Sequence, residues 1–246
     1  LFTFNDRPVE MVIDFLNQDV HKPIVVLTLS AGTKKIEPIT VRLLPVVSSQ
    51  QFKQSALAPT RNALRARFMN LEEDIATPHY NCRVLEDMRM IDHLKMLHEC
   101  KEKYSAFADT VKMLKTWGSQ RGLFGNKDSF TGVSGFFLAL CCAHVLKSGD
   151  HPHTLSSNQL FKLVMAFLKE TDFRTKKVVF GQQFSTDLSA DEKKLFKCHF
   201  YDADEIFNFG WRVSCSIDEL SHEATRCITL LESSEDPFDE IFGLRS

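Results

Sequence analysis

The sequence has no surplus of charge of either sign. Thirty Lys and Arg stand against 32 Asp and Glu, a formal net charge of −2 over 246 residues. No bulk attraction to nucleic acid or to an anionic membrane is signalled, and any contact with phosphate has to come from a local patch. Long apolar runs are also missing. The longest, Val133 to Leu146, is too short to cross a bilayer and contains His144, so it reads as a buried helix. The seven cysteines are odd in number, lie mostly in apolar surroundings such as "FFLALCCAHVL", and lack the spacing of a disulfide framework. Reduced thiols are the expected state. There is no internal repeat, no low-complexity linker and no signal-peptide pattern, and the chain starts at Leu1 without a methionine. It reads as a piece of something longer.

An apolar content of 43% with 25% charged residues is that of a soluble globular protein with a sizeable core. The length lies near the size at which single cores stop growing, which favours two packed modules. The first fifty residues hold a helix-like stretch, "RPVEMVIDFLNQ", then two strands, "PIVVLTLS" and "ITVRLLPVV", separated by the turn-like "AGTKK". In the second strand Pro38 and Pro45 set the limits of a half-buried segment. Alternation puts Ile39, Val41 and Leu43 on one face and Thr40, Arg42 and Leu44 on the other. Arg42 therefore points away from the more apolar face, towards solvent or a cleft, and the plainer reading of these residues alone is a solvated edge strand.

From Ser49 onwards the period is helical, with a weak strand signal at "KKVVFGQ". Ser156 with Gln159, Ser189 with Glu192 and Ser216 with Glu219 each have the spacing of a capping box. Leu160, Leu163, Val164 and Phe167 follow the first, and Ile217, Leu220, Ala224, Ile228 and Leu231 follow the last, as core-facing stripes. Another stripe, Phe107, Val111, Leu114 and Trp117, ends at Gly122 after Arg121, with Lys112 and Lys115 on the polar side. Trp117 is expected between the helices at 107–121 and 133–147, as a buried residue rather than a base-stacking platform.

Several short motifs resemble chemistry without completing it. "GVSGF" has Phe136 where a nucleophile elbow needs glycine, and "GLFGNKDS" lacks the Gly-Lys-Ser/Thr ending of a phosphate loop and reads as a surface turn. Asp202 and Asp204 in "DAD" have the spacing of a metal-binding carboxylate pair but no preceding Gly-Ser turn, so a solvated loop is expected. His151 with His153, and Cys142 with His144, have no second pair at zinc-site spacing. "RNALRAR" places Arg61 and Arg65 on one helical face, Leu64 and Phe68 on another, and Arg67 elsewhere. That cationic face either grips phosphate or is solvated.

"DTVKMLKTWGSQRGL" followed by "GVSGFFLALCCAHVL" resembles the helical half of the poly(A) polymerase and oligoadenylate synthetase superfamily. With "LAPTRNALR", "TPHYNCRVLEDM", "LSSNQLFKLVMAFL", "NFGWRVSCSIDELSHEATRCITLL" and "DPFDEIF" in that order, the chain more specifically resembles the Nrap family of nucleolar proteins, from about Pro23 to its end. The resemblance implies an α+β, mostly α chain. Residues 1–90 would form the C-terminal part of a nucleotidyltransferase-like α/β module, and 91–246 a helical poly(A) polymerase/oligoadenylate synthetase-like domain.

It further implies a nuclear, nucleolar role in the small-subunit processome. Other processome proteins would be the partners, with pre-ribosomal RNA a further one, and neither a membrane nor a small-molecule substrate is involved. In active relatives a strand of this kind carries the third metal-binding carboxylate, and alignment on Leu44-Pro45 puts Arg42 there. A guanidinium offers only donors and a positive charge, which Mg²⁺ rejects. The implied protein is thus a pseudoenzyme with no catalytic residue, no metal and no cofactor. The rival is an active metal-dependent nucleotidyltransferase of the same superfamily. RNA, if held, would be held by Arg61, Arg65 and Arg67 with Lys115 and Arg121, through phosphate and with little sequence preference.

Overall fold

In the computed structural model, the structure describes residues 2–4, 7–15, 23–29, 38–46, 53–64, 75–124, 132–213, 217–233 and 236–243. Two compact units are present, Leu1–Ser48 and Ser49–Ser246. The boundary expected at 90/91 falls inside a continuous helix, Pro78–Lys103.

The first unit is a four-stranded antiparallel sheet in the order β1 (Phe2–Phe4), β2 (Arg7–Phe15), β3 (Pro23–Leu29), β4 (Ile39–Leu43). The helix expected over "RPVEMVIDFLNQ" is instead strand β2. Val9, Met11, Ile13 and Phe15 alternate with Glu10, Val12 and Asp14, and pairing from Val9↔Leu29 to Phe15↔Pro23 satisfies the backbone. A period of two combined with a partner strand outweighs a weak helical pattern. Met11, Leu27 and Val41 lie opposite one another, as do Ile13, Val25 and Leu43, so one face of the sheet is almost wholly apolar. The other carries Glu10, Asp14, Thr28, Thr40 and Arg42. β4 is exposed throughout, as a solvated edge strand is, rather than half-buried. Among the described residues it is an edge strand, paired with β3 alone.

The second unit opens with a 3-10 turn, Gln54–Leu57, and continues through α1 (Pro78–Lys103), α2 (Phe107–Gln120), α3 (Gly135–Ser148) and α4 (Ser157–Glu170). Next come β5 (Lys176–Val179), β6 (Thr186–Asp187), α5 (Glu192–Leu195), β7 (Phe200–Tyr201), α6 (Ile217–Ser233) and α7 (Phe238–Phe242). The weak "KKVVFGQ" signal is the central strand of a small sheet ordered β6-β5-β7. α2, α3, α4 and α6 pack on one another as the helical core. Trp117 and Leu114 are fully buried on α2, and α3 is buried without interruption from Phe137 to Leu146. No helix among the described residues is long and apolar enough to cross a membrane. Six cysteines among the described residues are free and buried.

An aromatic cluster joins the helices to the small sheet. Phe137 meets Phe200 edge-on at 5.9 Å, and Phe167 meets Phe173 at 5.6 Å. His144 lies in the same cluster and accepts the Gly181 N–H at Nδ1, 3.1 Å away. Gly181 has φ +77°, a left-handed turn in which a side chain would be strained.

The capping boxes at Ser156 and Ser189 form as expected. Ser156 Oγ accepts from Gln159 N at 3.3 Å while Gln159 Oε1 accepts from Ser156 N at 3.0 Å. Ser189 and Glu192 exchange the same two bonds ahead of the single-turn α5. Ser216 lies outside the described residues. Replacing Ser156 by Ala should destabilise the protein by about 1 kcal/mol, read as a lower midpoint of urea unfolding. An unchanged midpoint would mean that the cap adds nothing.

Candidate functional site

Of the positions singled out by the sequence, Arg42 belongs to the first unit and Arg61, Lys115 and Arg121 to the second. Arg42 lies on the mixed face of the first sheet, on the edge strand β4, opposite Val26, which is in turn opposite Val12. Arg61 falls in an irregular stretch rather than on a helix. Asn81 Nδ2 donates to the carbonyls of both Ala58 and Arg61 at 2.9 Å, and Thr77 N donates to the Arg61 carbonyl at 3.0 Å. Backbone acceptors committed to α1 in this way keep the 58–64 segment out of the helical ladder. The Arg61 residue itself is exposed. Arg65, Arg67 and Phe68 lie outside the described residues.

Lys115 is exposed on α2, and its side chain lies across Gly135, with Cε 3.0 Å from where a Cβ would sit. Gly135 opens α3, whose N-cap Ser134 accepts from Phe137 N at 3.0 Å, and Phe136 beside it is 40% exposed. "GVSGF" is therefore a helix cap under a lysine stem. Its serine oxygen is engaged with the backbone.

Arg121 is a correction. The expected phosphate-binding cation is 5% exposed. Its Nη2 donates to the carbonyls of Glu240, Ile241 and Gly243 at 2.5, 2.7 and 3.2 Å, and Nε lies 3.9 Å from Glu223 Oε2. The guanidinium satisfies the C-terminal carbonyls of α7 and neutralises a buried carboxylate, which leaves it nothing to present to a solvent-borne phosphate. Gly122, with φ +69°, ends α2 beside it as the spacing implied.

In "DAD", Asp204 is exposed on a turn, in line with the solvated loop expected there, while Asp202 is not. Asp202 is buried, ion-paired with Arg89, and accepts from Ile206 N and Phe207 N at 3.0 and 3.1 Å. Arg89 also reaches Asp204 at 3.3 Å and Gln54, so the carboxylates hold a turn against α1 and the Arg89–Gln54 hydrogen bond ties the 53–64 segment to that helix. Burial pushes the Asp202 carboxyl above the usual range, against the pull of Arg89 and the two amides. His153 stacks on Tyr104 at 5.3 Å and its Nδ1 meets the Lys103 carbonyl at 3.2 Å, a packing role. Among the described residues, no three His, Cys, Asp or Glu side chains are grouped to hold a metal ion.

What the sequence reading missed is a surface at the start of α1. His79, exposed, meets Phe196 edge-on at 5.3 Å and lies 6.3 Å from the Trp211 ring. The Arg212 guanidinium lies over Trp211, 4.3 Å from the ring centroid, and is held by Glu86 at 2.6 and 3.3 Å. Tyr80, the next residue of α1, is 44% exposed. Trp211 and His79 are 132 positions apart in the chain, so only the fold brings them together.

Residues 106–244 match the Nrap protein PAP/OAS-like domain, and residues 3–103 match Nrap protein domain 1. The chain is 28% identical to mouse nucleolar protein 6 over 205 residues, 80% of this chain and 18% of that protein. It is 27% identical to human nucleolar protein 6 over 208 residues, again 80% and 18%. It is 32% identical to the U3 small nucleolar RNA-associated protein 22 of Schizosaccharomyces pombe over 171 residues, 65% of this chain and 15% of that one. The chain thus spans about a fifth or less of the relatives it matches. Among solved structures it shares its fold with the Cid1 poly(U) polymerase bound to its short product ApU. There the TM-score is 0.57 at 15% identity, over 96% of this chain and 73% of that one. A cytoplasmic RNA terminal U-transferase aligns with a TM-score of 0.52 at 14% identity, over 97% and 72%.

Proposed function

This chain belongs to the Nrap family, and from that premise we propose that it is a non-catalytic assembly module of a nucleolar ribosome-biogenesis factor, acting in the small-subunit processome during maturation of pre-18S RNA. The observation that carries the reading is the tandem order of the two Nrap domains over residues 3–103 and 106–244. The relatives named nucleolar protein 6 and U3 small nucleolar RNA-associated protein 22 support nucleolar work on ribosomal precursors. Its partners are other processome proteins and pre-ribosomal RNA. Depleting the protein in its own cell should lower 18S RNA and accumulate its precursors, with rescue by the intact gene. Normal 18S production would overturn the assignment.

Loss of catalysis is supported by Arg42. It occupies the strand position at which the family resemblance implies the third metal-binding carboxylate, and hard cations need anionic oxygen there. An arginine there can instead take a phosphate or carboxylate directly. The test uses the full-length protein with nucleoside triphosphates and an RNA primer in Mg²⁺ or Mn²⁺. No extension is expected. Metal-dependent extension that disappears when the residues around Arg42 are replaced would establish the rival, an active nucleotidyltransferase.

A further inference from the structure

We propose that the apolar face of the first sheet is the docking surface for the polypeptide that precedes residue 1 in the full-length protein, which lays an amphipathic helix across it. The proposal concerns how the whole chain is assembled and stands apart from the ribosome-biogenesis reading.

Register builds the face. Val9, Leu29 and Ile39 lie opposite one another in β2, β3 and β4, and the rows through Met11 and Ile13 repeat the pattern, so three rows free of charge stack on one side. Little covers them. Ile13 is 69% exposed and Ile39 63%, and Met11, Phe15, Val41 and Leu43 on the same face are exposed as well. Apolar residues scattered singly over a surface are ordinary, whereas six on one face of three paired strands form a contiguous patch of the kind that marks an interface. A sheet with one apolar face buries it against another layer.

The occupant follows from the amount of chain outside these residues. The match to mouse nucleolar protein 6 takes up 18% of that protein. The Cid1 poly(U) polymerase bound to ApU aligns with 96% of this chain but over 73% of its own, so more than a quarter of a chain with this fold has no counterpart here. Elements adjacent in sequence usually lie adjacent in space, and the sheet belongs to the unit Leu1–Ser48. Its nearest missing neighbour is the polypeptide before residue 1.

A helix fits the dimensions. From Val9 to Phe15 the apolar row of β2 runs about 20 Å, at about 3.4 Å per residue, and β2 to β4 spans about 10 Å, at about 4.8 Å between strands. A helix about 10 Å wide and about fourteen residues long covers that area. It also satisfies its own backbone hydrogen bonds, which a lone strand laid on the face would not.

The test uses the full-length protein. With Ile13→p-benzoylphenylalanine, irradiation should cross-link the face to a peptide preceding residue 1 of the same molecule, identified by mass spectrometry in material that runs as a monomer on a denaturing gel. A cross-linked dimer would give the face to a second copy. That result, a peptide following residue 246, or cross-links confined to residues 1–246 would each overturn the proposal. Oxidation of Met11 by hydrogen peroxide needs no substitution and decides the matter if the modified protein does not fold. Its sulfoxide should form at least about tenfold more slowly in the native full-length protein than in urea. Oxidation as fast as in urea would show the face open to water, and no segment docked on it.

Discussion

Arg121→Ala should lower the stability of the protein by about 3–5 kcal/mol, the usual cost of removing one member of a buried charge pair. The side chain donates to three carbonyls at the end of α7 and faces Glu223, itself 3% exposed. Alanine leaves those carbonyls without their donor and removes a cationic neighbour from a carboxylate that has little access to water. At about 2–4 °C per kcal/mol for a chain of this size, the thermal midpoint should fall by about 10 °C. Arg121→Lys should recover only part of the loss, because one ammonium cannot spread over the same three acceptors. A phosphate-binding role gives the opposite pattern: weaker RNA binding and an unchanged midpoint. That pattern would return Arg121 to the surface from which the structure removes it.

Acid should destabilise the protein steeply between pH 6.5 and 4, and buried imidazoles are the cause. His93 lies against Phe207 and Phe209, and burial, reinforced by the nearby Arg89 charge, pulls its pKa down to about 4. His144, in the Phe167–Phe200 cluster, is pulled down to about 4 by burial. His199, buried against Phe196, shifts the same way. A histidine whose folded pKa is below its unfolded value binds fewer protons in the folded state, so falling pH favours unfolding. The stabilisation is complete above about pH 6.5 and is lost as pH drops towards about 4. At 1.36 kcal/mol per pH unit, that span is worth roughly 3 kcal/mol for each of His93 and His144. Asp202, its carboxyl raised by burial, works in the opposite sense. His144→Gln should flatten the profile by roughly half at the expense of stability at neutral pH, as followed by urea midpoints across the pH range. A flat profile in the intact protein would mean that these rings are not held neutral.

Much of the helical unit was legible from spacing. The Phe107–Trp117 stripe, the buried run through Leu146 and the Ser156 box involve residues three or four apart, and such neighbours meet whatever the rest of the chain does. The two strands and the side taken by Arg42 followed from alternation. The exposure of β4 agrees with the solvated edge-strand reading of the same residues. Spacing alone did not decide β2. Val9, Met11, Val12 and Ile13 suit either a helix or a strand face, and pairing with β3 decides between them.

The sequence by itself determined the family and the helical core, since both are written in short, ordered patterns. Only the tertiary structure decided the fate of the isolated polar residues. Arg121 went inward to cap α7, and Asp202 to pair with Arg89, 113 residues away. Trp211 was placed beside His79. A lone cation, carboxylate or ring acquires its role from partners far away in the chain. Desolvation then fixes that role, because a buried charge must find its partner while an exposed one is free to meet a ligand.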